Sequence, residues 1–451
     1  MATTTRPDRT TLTEAGTAAR VRLPLADQGN WKPAADRPDP IALLEEQAQT
    51  RLPELVPIRY GRMSVSPFAF YRGAALPMAA DLAAIPNSGL TVQLCGDAHL
   101  SNYGLFASPE RELLFDINDF DETLPGPFEW DVKRLAASII VAGRFRGFDH
   151  HVNRRAAQQA VETYRTRMAA FAGMRAIEVF YSAVDASGIV TFVDKRARPM
   201  IESTVKSASR HDALHELPKL TAVVDGHRSI VDHPPVIVHR PEATPAVIDA
   251  FLAAYSTTLQ EDRRTLLNRY ALVDVAMKVV GVGSVGLGAF IALFDSDSDD
   301  DPLFLQVKQA EASVLERFLG ASQEPTHGAR VVAGQRHLQA QSDVFLGHAV
   351  GDFEGRAWYV RQLQDQKASA VVEAMTADDL AAWGALCGWA LARGHARSGE
   401  PATIAAYLGT DDTFDHAIAK FAETYADQNE RDYGALTAAI KSGRIKAITG
   451  E

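Results

Sequence analysis

Apolar residues along this chain recur with two different periods, and the change between them predicts the architecture. From Glu129 the stripe Val132, Leu135, Ala136, Ile139, Ile140 and Gly143 recurs at i, i+3, i+4 and i+7, the core-facing side of a helix. Residues 150–182 continue helical. Thr244-Pro245 opens a further helix with Val247, Ile248, Phe251, Leu252 and Tyr255 on one side. Thr376, with Asp379 three positions on, has the side chains of a capping box, predicting a helix over 376–396 that buries Leu380, Trp383, Cys387, Ala390 and Leu391. Asp39 and Pro40 supply the N-cap and first-turn proline of a shorter one.

Elsewhere short apolar runs predict strands: Leu90 to Leu94, Leu113 to Ile117, then from Asp274 onward Met277 to Gly281, Ala289 to Phe294, Leu303 to Lys308 and Ala357 to Leu363. The acid-rich stretch 295–301 reads as a hairpin tip, and a helix is expected around 328–342. Residues 95–112 read as loop and 183–243 as short strands and charged turns. Residues 1–38 lack a sustained apolar period and are expected to form a flexible arm. The fold class is α+β: a small antiparallel sheet over 271–366 above a mainly helical part made by 39–270 and 367–451.

Composition narrows the function. The chain has 451 residues, a formal charge of −11 and no basic cluster free of acids, which excludes a general nucleic-acid binder. No apolar run reaches the roughly 20 residues that span a bilayer, and the N-terminus lacks the apolar stretch of a secretion signal. Two isolated cysteines, Cys95 and Cys387, argue for a reducing, cytoplasmic setting.

The candidate chemistry lies in two acid-bearing loops. Leu94-Cys-Gly-Asp-Ala-His-Leu-Ser-Asn sets Asp97 and Asn102 five residues apart after a strand, and Phe115-Asp-Ile-Asn-Asp-Phe-Asp-Glu brings Asp119 and Asp121. Phosphoryl transfer needs one carboxylate to orient the attacking hydroxyl and further oxygen ligands to hold magnesium against the phosphates. Asp and Asn are also ordinary turn residues, so neither loop alone carries the assignment. A glycine segment follows a strand much later, with Gly281, Gly283, Ser284 and Gly286, where backbone amides can approach phosphate oxygens. A dinucleotide fold would need a long helix there, whereas Leu287 to Phe294 read as strand. Lys308, ending the next strand, is placed to reach ATP phosphates. Glu311, Glu316, Glu324 and Gln335 are its candidate partners. His211 and His215 stand four apart, but HDALH lacks the glutamate of HExxH and a third ligand. Arg72 could clamp a phosphate or pack against Asp119 or Asp131.

Cys95-Gly-Asp-Ala-His-Leu-Ser-Asn resembles the catalytic loop of aminoglycoside and choline phosphotransferases, with His99 two places after the Asp. Asp119-Phe-Asp resembles the magnesium-binding segment of protein kinases, and Pro127-Phe-Glu-Trp-Asp-Val resembles the later segment in which an Asp, here Asp131, braces the catalytic loop. With Phe70-Tyr-Arg-Gly-Ala, Val280-Gly-Val-Gly-Ser-Val-Gly, Val331-Val-Ala-Gly-Gln-Arg and Tyr359-Val-Arg-Gln-Leu, the chain from about Asp39 onward resembles the bacterial domain-of-unknown-function family 2252. That resemblance implies a protein-kinase-like, two-lobed fold. Kinase motifs run in the opposite order, so the resemblance also implies a circular permutation, with the end of helix 376–396 beside Leu94. It further implies an ATP- and magnesium-dependent phosphotransferase acting on a small-molecule hydroxyl. Asp97 is then catalytic, Asn102, Asp119 and Asp121 hold metal, and the glycine segment and Lys308 hold phosphates, with the backbone near Leu363 meeting adenine. A nucleotide-binding pseudokinase and an adenylyl transferase are the rivals.

Overall fold

A computed structural model describes residues 6–210, 213–224, 227–279, 281–298, 301–351, 355–363, 366–369 and 371–449. His211 lies outside them, as do Val280 of the glycine segment and Asp299 and Asp300 of the acidic turn.

The apolar stripe from Val132 does form a helix, Glu129–Phe145, and it lies at the centre of the largest core beside helices His150–Gly173, Ala377–Ser398 and Thr413–Lys441. Small residues set how closely these helices approach. A Cβ added at Gly388 would lie 2.2 Å from the Ala160 carbonyl oxygen, so helix 377–398 rests directly on the backbone of helix 150–173. The capping box at Thr376 is present: Thr376 Oγ1 accepts from the Asp379 amide and the Asp379 carboxylate accepts from the Thr376 amide. Asp39 likewise caps helix Pro40–Ala48.

Four short strands border this core in two antiparallel pairs. Strand β1 (Thr91–Leu94) pairs with β4 (Leu124–Pro127), and β2 (Tyr103–Ala107) pairs with β3 (Leu113–Ile117). β2 lies within the stretch expected as loop. Residues 183–243, expected as strands and turns, include helices Ala186–Phe192, Arg198–Ala208 and Ala213–Leu220 before the pair β5 (Thr221–Val224) and β6 (His227–Ile230).

A six-stranded antiparallel sheet is built from β7 (Ile237–Val238), β8 (Ala271–Lys278), β9 (Ala289–Asp295), β10 (Pro302–Ala310), β11 (Gly347–Val350) and β12 (Ala357–Gln362), in the order β11-β12-β10-β9-β8-β7. Both faces are apolar, which strand alternation divides cleanly. Ala292, Phe294, Leu303 and Leu305 join Tyr255 of helix Pro245–Ser256, whereas Ile291, Leu293 and Phe304 join Leu220, Ile230 and Leu363. The hairpin expected across 289–310 is present, pairing Lys308 with Ala289 and, on its other side, with Tyr359.

The N-terminal arm departs from expectation. Residues Arg9–Arg22 form a helix capped by Asp8 and lie against helix Pro401–Leu408. It bears no apolar stripe, because contact is made through small residues and side-chain hydrogen bonds. A Cβ at Gly16 would meet Thr403 O at 2.2 Å, Arg20 Nε donates to Tyr407 O at 2.7 Å, and Thr403 Oγ1 donates to Leu12 O at 3.0 Å. Trp31 is buried beside Phe421 and Tyr425, and Arg37 forks onto both Asp81 and Asp432. No helix among the described residues is long and apolar enough to cross a membrane. Cys95 and Cys387 are both unpaired and buried.

Candidate functional site

Asp97 follows β1 because Gly96 turns the chain. Gly96 has φ +82°, and a Cβ on it would lie 2.2 Å from Glu122 O, two demands that no L side chain meets. Asp131, in the first turn of helix 129–145, accepts from the amides of Cys95 (2.8 Å) and Gly96 (3.1 Å), and His395 Nε2 lies 3.3 Å from its Oδ2. This is the bracing expected of Asp131.

The Asp97 carboxylate is largely enclosed. Arg134 Nε donates to its Oδ1 at 2.5 Å, and His99 Nε2 stands 3.7 Å from its Oδ2. Burial pushes Asp97 up to about 6, more than Arg134 pulls it back. His99 is held well below the usual imidazole range, first by burial and then by Arg72 and Arg134, so at neutral pH it is uncharged. Asn102 Nδ2 donates to Asp97 O at 2.8 Å, fixing the amide and leaving its oxygen as the end available to a cation.

Asp119 and Asp121 are differentiated by their neighbours. Lys308 Nζ donates to Asp121 Oδ2 at 2.6 Å and Tyr359 Oη to Oδ1 at 2.7 Å. Burial opposes ionisation of Asp121, but Lys308 and Tyr359 hold it below the normal carboxylate value. Asp119 lacks such a direct cation; burial, then the negative charge of Asp121, raises it. Lys308 itself is almost fully buried; burial works against its charge, yet Asp121, Tyr359 and Asp119 together hold its pKa above that of an ordinary lysine. The partner expected among Glu311, Glu316, Glu324 and Gln335 is therefore Asp121 instead. Glu311 accepts from Thr50 and Gln309, and Glu316 accepts from the amides of Ser313 and Ser322.

The glycine segment closes over these acids as the link from β8 to β9. Gly281 and Gly286 take φ +71° and +95°. The segment is tethered from outside: Arg62 Nη1 donates to Gly281 O (2.7 Å), Arg51 Nη1 to Val285 O (2.5 Å) and the Leu52 amide to Gly286 O (2.8 Å). Asp97, Asn102, Asp119, Asp121, Gly281, Gly283 and Ser284 all line one cavity of about 80 Å³. Gly286 and Lys308 are not among the residues that line it: Gly286 lies against the Arg51 side chain, and Lys308 is joined to it through Asp121. Leu363 does not join them. It lines a separate cavity of about 440 Å³ with Phe106, Phe304, Asn118 and Arg361, and its amide is committed to Phe304 O at 2.9 Å.

A family model described as "Uncharacterized protein conserved in bacteria", domain-of-unknown-function family 2252, matches residues 51–439. The chain belongs to this family. No curated protein and no solved structure matches it.

In this member of family 2252 several residues at the site escaped the motif reading. Arg134 had a legible signal, a charge three residues after Asp131 within an otherwise apolar helix face. Tyr359 and Arg361 stood in the Tyr359-Val-Arg-Gln-Leu segment without a role, which the sheet register supplies; Arg59 is brought in by helix Val56–Met63 and Arg51 by its bond to Val285 O, and neither had a signal. Glu122 also faces the cavity. Burial, then the acids Asp97 and Asp121, pushes it up to about 7 against an ordinary 4.5, although the Val314 amide donates to it. A carboxyl raised in this way binds its proton more tightly when folded, so its stabilisation is complete below about pH 4.5 and is lost as pH rises through about 7. Glu122→Gln should therefore show a smaller gain in melting temperature than the natural protein on going from about pH 8 to 5; equal gains would contradict the assignment.

Proposed function

We propose that this protein is an ATP- and magnesium-dependent phosphotransferase with a protein-kinase-like, circularly permuted two-lobed fold, acting on a hydroxyl of a small molecule. The observation that carries the reading is the Lys308–Asp121 ion pair, which joins the strand after a glycine segment to the acid loop over 187 residues of chain. Kinases likewise bring a lysine on the strand after a glycine loop and a metal-binding Asp to the same nucleotide phosphates, with a helix glutamate as the lysine's partner where this chain uses Asp121. The permuted order is supported where helix Ala377–Ser398 ends: Ser398 Oγ accepts from the Gln93 amide at 3.2 Å, next to Leu94 and the Asp97 loop.

In this reading Asp97 accepts a hydrogen bond from the acceptor hydroxyl through Oδ2, because Arg134 occupies Oδ1. That makes it an orienting group first and a proton acceptor second. The hydroxyl oxygen bonds to the γ-phosphorus, the bond to the β-phosphate oxygen breaks, and the proton leaves through Asp97. Asn102, Asp119 and Asp121 offer an all-oxygen ligand set suited to magnesium, which when bound neutralises charge building on the phosphates. Lys308 supplies fixed positive charge. The 80 Å³ cavity calls for the glycine segment to lift before a triphosphate enters.

Incubation with γ- and α-labelled ATP tests the reading against its rivals. Transfer of γ label to an acceptor is expected; α-label transfer points to an adenylyl transferase, and binding without transfer to a pseudokinase. Asp119→Ala should abolish the magnesium dependence of nucleotide binding in a calorimetric titration, and unchanged dependence would remove Asp119 from the metal set.

A further inference from the structure

Three arginines gather beneath the glycine segment, and none belongs to the acid loops or the lysine strand. Arg59, in helix Val56–Met63, is wholly buried. Its Nη2 donates to Gln47 Oε1 (2.7 Å) and Gly73 O (3.0 Å), while Nε and Nη1 have no hydrogen-bond partner among the described residues. Arg51 is 6% exposed, gives Nη1 to Val285 O and leaves Nε without a partner. Arg72, half-buried in helix Pro67–Gly73, also has an unpartnered Nε. All three line the 80 Å³ cavity with Gly281, Gly283 and Asp97.

A guanidinium keeps its proton in a protein, so buried N–H groups without acceptors are costly. Asp97 is engaged by Arg134, Asp121 by Lys308, and Glu122 by the Val314 amide, while Asp119 and Glu311 act on the cluster by charge at longer range, with no hydrogen bond to these three arginines among the described residues. Burial, then the like charge of Arg51, presses Arg59 down to about 9. The chemistry that satisfies several converging planar forks is an oxyanion with multiple acceptor oxygens.

We propose that Arg59, with Arg51 and Arg72, forms an oxyanion subsite under the glycine segment that takes a phosphate group. That phosphate belongs either to the nucleotide, as its terminal group, or to the acceptor. Choosing between these sources rests on the phosphotransfer reading; the subsite itself does not.

The test is a titration of the full chain with inorganic phosphate at constant ionic strength, followed by melting temperature and calorimetry. Saturable binding is expected, weakened about 10–100-fold in Arg59→Met, the loss of a charge-assisted donor pair. Arg72→Gln, at a half-buried position, should fold and weaken binding several-fold, so it decides the matter if Arg59→Met does not fold. Repeating the titration with Mg-ADP and Mg-ATP separates the sources. Competition with ATP alone assigns the nucleotide's terminal phosphate, and binding on top of both assigns an acceptor phosphate. Arginine-dependent phosphate binding without any nucleotide binding would retain the subsite and sink the phosphotransfer reading. The subsite is overturned if phosphate does not bind saturably, or binds equally well to the natural protein and the folded arginine variants.

Discussion

Asp116→Ala should cost about 3–5 kcal/mol of folding stability, against the roughly 5–15 kcal/mol that a typical domain possesses. Asp116 and Arg393 are both completely inaccessible, and Arg393 Nη2 donates to both carboxylate oxygens, at 2.7 and 2.6 Å. The same carboxylate accepts from the Ala340 amide at 2.9 Å, and Arg393 also donates to Leu338 O. Removing the acid strands a buried guanidinium that cannot shed its charge, which is worse than never having built the pair. The double variant Asp116→Ala/Arg393→Met should accordingly recover much of the loss. Urea unfolding of the single and double variants measures this coupling; a single-variant loss below about 1 kcal/mol would mean that water reaches the pair.

On the phosphotransferase reading proposed above, Asp97→Asn is expected to lower kcat by about 10²–10⁴ while leaving Mg-ATP affinity nearly unchanged. The amide keeps the shape of the carboxylate but cannot take the hydroxyl proton, and it weakens the charge-assisted bond from Arg134. Loss of turnover with intact binding separates this variant from Asp119→Ala, whose defect lies in the magnesium dependence of binding. Turnover within tenfold of the natural protein would remove Asp97 from the chemistry. A melting curve run alongside checks that the loop remains folded.

What could be read from the sequence was whatever is encoded over one or two turns of chain. The stripe from Val132, the Thr376–Asp379 box and the Asp39 cap each depend on neighbours a few residues away, and each forms as expected. β4 could not be read in this way: Leu-Pro-Gly-Pro has no strand character and becomes one only through pairing with β1. The helix Arg9–Arg22 was missed for a related reason, since Gly16 and Ala19 bury it by being small rather than by being apolar. At the site, the residue types and their loops were legible, and Asp97, Asn102, Asp119 and Asp121 share one cavity with Gly281. The partner of Lys308 was not, because proximity along the chain favoured Glu311 and Glu316, whereas the sheet directs the side chain across to Asp121. Leu363 stands in a separate cavity from these residues, its amide bonded to Phe304 O.

The ion pairs that cross this molecule also impose a timetable on its synthesis. Asp121 leaves the ribosome 187 residues ahead of Lys308, and Asp116 is 277 ahead of Arg393. At roughly 5–20 residues per second, these two carboxylates wait on the order of ten seconds or more for their cations. Until Arg393 emerges, the nascent chain carries an unneutralised carboxylate at a position destined for complete enclosure, so the first half cannot reach its final form ahead of the last helices.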